Sequence, residues 1–220
     1  MDTRAHQAGE VTFDFRELSA RDKYKLLIGT VVPRPIALVT TIDPEGRINA
    51  APFSFFNCLS ADPPILALGV ENHPDMRFKD TGLNIRLTEV FTVNIVSHAI
   101  AEAMHVCAVP FSPEHDELQA AGLTAMAGKT VASPWIKEAP AAFECRRHLT
   151  LELGKSRQII MGEILFAHYH ADVVDAERLH IDPARLDTIA RLGGSTCSTI
   201  RDRFDMETPT LDDYWNQRQS

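Results

Sequence analysis

Between residues 36 and 96 the chain alternates short β-branched and aliphatic runs with turn signals, a pattern that builds a meander of strands. Ile36-Ala37-Leu38-Val39-Thr40-Thr41-Ile42 meets Asp43-Pro44-Glu45-Gly46, with Pro at the second turn position and Gly at the fourth. A hairpin there returns the chain through a strand over residues 47–53. Residues 64–70 and 91–96 have the same character, and residues 142–153 and 158–170 read as two long strands joined through Gly154-Lys155-Ser156. Six strands at short, mostly antiparallel spacing predict a barrel or a sandwich.

Helices fill the gaps. Ser19-Ala20-Arg21-Asp22 has the pattern of a capping box and opens a helix carrying Leu26, Leu27 and Ile28 that Gly29 stops. Asp80 or Thr81 caps a second helix running to Leu87, residues 99–107 form a third, and Ser112-Pro113-Glu114 opens a fourth ending at Gly122. With no repeat and no Ser/Gly-rich linker, the chain reads as one domain over residues 16–204, flanked by an arm at 1–15 and another at 205–220.

Charge narrows the partners. Twenty-two Lys and Arg against 30 Asp and Glu give a formal charge of −8, the wrong sign for a general nucleic-acid binder. No apolar run approaches the ~20 residues of a membrane span, and the N-terminus lacks the apolar stretch of a signal peptide, so the expected location is the cytoplasm. Cys58, Cys107, Cys145 and Cys197 form no CxxC pair and are expected to be packing residues. His168 and His170 share a strand face, as metal ligands can. Without a neighbouring acidic or Cys ligand they read as a solvent-facing pair, and no metal site is assigned. His98 and His105 read as a solvated helix face.

The chain has no GxSxG elbow, HExxH pair, P-loop or GxGxxG turn. Three other features make sense together if a planar, anionic cofactor lies on the sheet. Asn49-Ala50-Ala51-Pro52-Phe53-Ser54-Phe55-Phe56-Asn57 takes a strand of small residues into a polar, aromatic corner, where a ligand can lie against the backbone. Arg77-Phe78-Lys79-Asp80-Thr81 leads two cations into a helix N-terminus, which suits a phosphate. Pro33-Arg34-Pro35 holds an Arg rigidly at the mouth of the first strand.

These segments, taken in order, resemble the flavin reductase-like family of FMN-binding split barrels, which includes reductase components of two-component flavin monooxygenases and the flavoredoxins. The resemblance runs from about residue 24 to 204 through Pro33 to Thr41, the Asp43 to Gly46 hairpin, Asn49 to Phe56, Pro63-Pro64, Lys79-Asp80-Thr81 with Asn84-Ile85, and Phe91 to Asn94. It continues through Asp116-Glu117-Leu118, Ala121 to Thr124, Glu138-Ala139-Pro140, Glu144-Cys145, Gly162-Glu163-Ile164 and Arg191-Leu192-Gly193-Gly194. It implies a mainly β chain with peripheral helices, a six-stranded FMN-binding split β-barrel, and a homodimer with the flavin near the subunit interface.

Carried over by position, Asn49, Ala50 and Ala51 line the ribityl and phosphate side, while Ser54, Phe55, Phe56 and Asn57 meet the isoalloxazine. Arg77, Lys79, Asp80 and Thr81 hold the phosphate with Arg34 as a neighbour, and Arg191, Gly193 and Gly194 close the pocket. The implied activity is an NAD(P)H:FMN oxidoreductase, using NADH or NADPH and supplying reduced flavin to a separate flavin-dependent oxygenase. A flavoredoxin-like carrier with tightly bound FMN and a non-catalytic FMN-binding protein are the alternatives. One departure stands out: members of the family often place an aromatic residue just after the Arg-Leu-Gly-Gly run, where this chain has Ser195-Thr196-Cys197-Ser198-Thr199. A small, polar wall there would widen the pocket or change what stacks over the flavin.

Overall fold

A computed structural model describes residues 4–7, 9–112 and 114–216. Pro113 and the extreme ends of both expected arms lie outside them. The main sheet contains strands β1 (Ala37–Ile42), β2 (Ile48–Phe53), β3 (Phe56–Ala61), β4 (Pro64–Glu71), β5 (Val90–Ile95), β6 (Ala141–Leu153) and β7 (Arg157–Tyr169). All neighbours are antiparallel, in the order β2-β1-β5-β6-β7-β4-β3. The two edge strands, β2 and β3, are consecutive in sequence and only Ser54 and Phe55 separate them. Two residues span at most roughly 10 Å, so the sheet must curl until its edges meet, which makes it a split barrel. The amide of Gly69 in β4 seals that corner by donating to the Phe55 carbonyl at 2.7 Å.

The Asp43–Gly46 hairpin forms as expected: Gly46 has φ +83°, and Asp43 Oδ1 accepts from the Glu45 and Arg47 amides at 3.0 and 2.8 Å. Both faces of β1 are covered, which is why it reads as an unbroken apolar run. Ala37 and Val39 face the barrel interior with Leu66, Leu68, Phe91, Val93, Cys145 and Ile160. Ile36 and Leu38 face an outer core with Ile100, Met104, Leu118 and Ile136. Gly162 lies under Phe91, whose ring occupies the place a Cβ would take.

Around the barrel lie α1 (Ala20–Thr30), α2 (Asp80–Thr88), α3 (Ala101–Val106) and α4 (Glu117–Ala120). Ser19 caps α1 by accepting from the Asp22 amide at 3.1 Å, but the helix runs through Gly29. That glycine serves packing: a Cβ on Gly193 would stand 3.3 Å from Gly29 Cα, so two glycines let the loop approach the helix. The fourth helix starts later than expected. Asp116, which accepts from the Leu118 and Gln119 amides, is its cap, while the Ser112 hydroxyl pairs with His115 Nδ1 at 2.8 Å.

Other corrections concern His and Cys. His168 is not solvent-facing: its Nε2 lies 2.7 Å from Glu144 Oε1 and its ring stacks on Trp135 at 4.5 Å. His170 Nε2 donates to the Lys137 carbonyl, so the pair clasps the segment before β6. Cys107 and Cys145 are packing residues, but Cys58 and Cys197 are exposed. At the ends, residues 4–7 pair with residues 10–13, and Leu211–Asn216 forms a short helix.

Candidate functional site

A groove runs along β2. At one end is a cavity of about 290 Å³ lined by Asn49, Ala50, Ala51, Lys79, Asp80 and Thr81, so six of the expected site residues converge there. The small side chains of Ala50 and Ala51 leave the space. Lys79 is the N-cap of α2 and makes no side-chain cap bond, so the N–H groups of the first turn lack an internal partner. Those donors, the positive end of the helix and the Lys79 ammonium favour an oxyanion, while the carboxylates of Asp80 and Glu117 line the same cavity and oppose one.

A polar network holds the groove in shape. Asn49 Nδ2 donates to Thr81 Oγ1 at 3.0 Å and to Thr41 Oγ1 at 3.1 Å, and Asn84 Nδ2 donates to the same Thr41 oxygen at 3.1 Å. These bonds tie β1, β2 and the start of α2 together, fixing the distance between strand and helix.

The same cavity contains residues that sequence reasoning missed: His73, the stretch from Cys107 to Phe111, and Glu117. Glu117 Oε2 accepts the Ala50 amide at 3.1 Å, and burial pushes its carboxyl above its ordinary value. The Cys107 thiol is pushed up to about 12, first by burial and then by the charge of Glu117, which leaves it a packing group rather than a nucleophile.

Farther along β2 a cavity of about 160 Å³ takes Pro52 and Phe53 as a shared wall and adds Ser54, Arg34, Arg191 and Gly194. Tyr24 and His105, neither expected, border it too. Beyond Ser54 and Arg34 opens an apolar cleft of about 520 Å³, which contains Phe55, Phe56 and Asn57. The expected ring contacts are therefore split across the β2–β3 corner. The expected closing residues come from the 191–197 turn: Arg191 Nη2 donates to the Gly194 carbonyl at 2.7 Å, and Gly193 supports the turn against α1.

Two of the expected cations stand elsewhere. Arg77 is exposed and bound to Asp75 at 2.7 Å, and it lines neither cavity of the groove. Arg34 is buried, and its guanidinium donates to the carbonyls of Ile28, Val31 and Leu192 at 2.6, 2.6 and 2.9 Å. It binds the end of α1 to the 191–197 turn and lies at the junction of the smaller cavity and the apolar cleft, away from the Lys79 end. Among the described residues no cluster of three or more His, Cys, Asp or Glu is arranged to hold a metal ion.

The groove has a helix start with Lys79 at one end, small side chains along its floor and an aromatic corner beyond Ser54. Comparison with known proteins adds the family. The Flavin reductase like domain matches residues 28–187. A protein of Deinococcus radiodurans is 40% identical over 214 residues, covering 94% of each chain. Among solved structures, the 2-nitrobenzoate 2-nitroreductase NbaA of Pseudomonas fluorescens is 35% identical with a TM-score of 0.82, covering 91% of this chain and 97% of its own. Nitrilotriacetate monooxygenase component B of Bacillus cereus is 27% identical with a TM-score of 0.86, covering 91% and 100%. The chain belongs to the flavin reductase-like family of split-barrel proteins.

Proposed function

We propose that the protein is an NAD(P)H:flavin oxidoreductase that binds FMN in the β2 groove and passes its electrons to a separate acceptor. The observation that carries this reading is the uncapped N-terminus of α2, with Lys79 and Thr81, at one end of a groove floored by Ala50 and Ala51. In it, Lys79 and the amides of the first turn of α2 hold the phosphate, and Asn49 keeps Thr81 in place beside them. Ser54, Phe55, Phe56 and Asn57 form the ring end, with Arg191, Gly193 and Gly194 as its late-chain wall.

Bound FMN would supply the chemistry, taking a hydride from NADH or NADPH and giving up electrons to the acceptor. The chain's own task is to bind, orient and partly dry the ring. No proton-transfer dyad is required of it, and the pocket residues provide none. The acceptor class follows two neighbours: one is named for a 2-nitrobenzoate nitroreductase and the other for a monooxygenase component. The acceptor is a partner oxygenase that receives reduced FMN, and the cytoplasm, where nicotinamide cofactors are held, is its setting.

A homodimer completes the proposal. The apolar cleft carrying Phe55 to Asn57 continues onto an outward sheet face where Leu149, Leu151 and Leu153 of β6 stand exposed. Their cross-strand neighbours on that face include Met161 and Ile159. A second copy seated there covers both the leucines and the ring end, with the end arms at its margin.

The test is direct. Purified protein is examined for a flavin spectrum and then mixed anaerobically with NADH or NADPH, with and without added FMN. Rapid bleaching with turnover of added FMN supports the reductase. Bleaching only by a protein donor indicates a carrier, no bleaching indicates a binding module, and a chain that takes up no flavin overturns the reading.

A further inference from the structure

Arg34 and Arg191 are direct cross-strand partners in a small antiparallel sheet. Such partners project to the same side, and like charges set opposite each other destabilise a sheet. Both line the 160 Å³ cavity with Ser54, and no Asp or Glu lines either that cavity or the adjoining cleft. Among the described residues neither arginine forms an ion pair. Arg34 is only 7% exposed, and its Nε is buried without a hydrogen-bond partner. Backbone carbonyls offset part of its charge. A buried cation without a counter-charge still costs stability, so this juxtaposition favours something negative beside it.

The geometry also says what kind of anion. Both Nη atoms of Arg34 are committed to three carbonyls, and Arg191 Nη2 is committed to Gly194. Neither guanidinium presents the free fork that grips a phosphate or carboxylate in bidentate fashion. What the pair offers is a fixed positive field in a half-enclosed, carboxylate-free wall, which suits diffuse charge. The oxyanion donors stand instead at the α2 end, past Pro52 and Phe53.

We propose that Arg34 and Arg191 are the counter-charge for the flavin ring in its reduced, anionic form, a proposal that rests on the flavin reading above. Hydride transfer from a reduced nicotinamide delivers two electrons and one proton, so a ring that is neutral when oxidised gains one negative charge while the nicotinamide leaves as its oxidised cation. The pair therefore binds the reduced ring more tightly than the oxidised one and raises the reduction potential of bound FMN. Arg34 acts from behind the wall, as a positioning residue that also holds Arg191's turn against α1. Arg191, half-buried at the cavity mouth, is the nearer charge.

The experiment measures the two-electron reduction potential of the FMN-loaded protein against reference dyes for the wild type, Arg191→Gln and Arg191→Lys. Arg191→Gln is expected to lower the potential by about 30 mV, equal to a tenfold loss in preference for the reduced ring, and Arg191→Lys to restore most of it. A purely structural role weakens both redox states alike and leaves the potential unchanged, which would overturn the proposal. Dissociation constants for oxidised FMN and riboflavin give the second readout. Arg191→Gln is expected to change the two by the same factor, whereas a larger loss for FMN assigns the pair to the phosphate and overturns the ring assignment. Arg34→Lys keeps the charge and, where it folds, keeps the potential; if it does not fold, the Arg191 series decides. Wild-type protein that binds no flavin removes the functional reading itself, an outcome distinct from flavin binding with an unmoved potential.

Discussion

A carboxylate removed from water stays ionised only if donors fill its oxygens, and Glu144 shows how many that takes. It is fully buried, yet it accepts from the amides of Lys129, Thr130 and Val131 and from the Thr130 hydroxyl, and it faces His168. Burial alone would raise its pKa, but the Thr130 hydroxyl, the Lys129 amide and His168 hold it down at about 2, against an ordinary 4.5. A depressed folded-state value means the stabilisation is complete above pH 4.5 and is lost as pH falls from there toward 2. Its size is on the order of 3 kcal/mol. Glu144→Gln should therefore be much less stable than the wild type in urea at pH 7, with the gap shrinking at pH 3; an equal gap at both would show that the charge is not what matters. If Lys79 holds the phosphate as proposed, Lys79→Ala should weaken FMN by roughly tenfold, the worth of one charge-assisted hydrogen bond at ~1.5 kcal/mol, and leave riboflavin nearly unchanged. Titration of the flavin's fluorescence measures both, and equal losses would remove Lys79 from the phosphate. That Lys79, Thr81 and Asn49 line one cavity is legible in sequence because the signal is local: a helix start, and a strand of small residues. Glu117, His73 and His105 were not, since their approach depends on how α3, α4 and the 73–77 loop fold onto β2. Arg77 reads as a ligand by proximity to α2, but Asp75, two residues away, takes its guanidinium first.

Elements were easier to read than their joints. The six expected strands are present because each is a run of β-branched or aliphatic residues between turn signals, and the hairpins at 43–46 and 154–156 follow from Gly at positive φ. The missing strand, β3, begins inside the aromatic corner, where Ser54 and Phe55 alone make the passage between the two sheet edges. Phe56-Asn57-Cys58-Leu59-Ser60-Ala61 carries no β-branched residue, and only pairing with β4 makes it a strand. The same corner explains Gly69. A Cβ there would stand 2.8 Å from Phe55 Cβ, at the point where the Gly69 amide holds the Phe55 carbonyl. Gly69→Ala therefore forces β4 away from the Phe55 corner, the proposed ring end. It should cost about 1–3 kcal/mol, as overpacking does, and lower flavin affinity beyond what Lys79→Ala removes. Thermal melts with and without FMN separate the two effects: a destabilised protein that still binds flavin normally would detach the corner from the ring.

At the scale of the whole chain, a net charge of −8 coexists with a carboxylate-free wall around Arg34 and Arg191. The apolar surface is just as localised. Leu149, Leu151 and Leu153 occupy alternate positions of β6 and point outward, where a monomer would leave them wet. The C-terminal stretch repeats the pattern, with Phe204 82% and Met206 81% exposed. Single exposed hydrophobes are ordinary, but a contiguous row beside the Phe55 cleft is the kind of surface a partner covers. If a second copy covers it, the full chain sediments at twice 24.5 kDa. Leu151→Asp then places a charge at the centre of the contact and should yield a monomer whose own unfolding changes by only about 0.5 kcal/mol, because the side chain is exposed within one copy. That monomer should also retain flavin less well, since Phe55, Phe56 and Asn57 lose the surface that closes over them. Removing residues 205–220 tests the arm separately and should weaken the dimer without abolishing it. Sedimentation velocity across a concentration series, run beside flavin retention on a desalting column, links assembly to the site. A Leu151→Asp variant that stays dimeric would place the interface elsewhere, and a monomer that retains FMN fully would leave each barrel to bind its flavin alone.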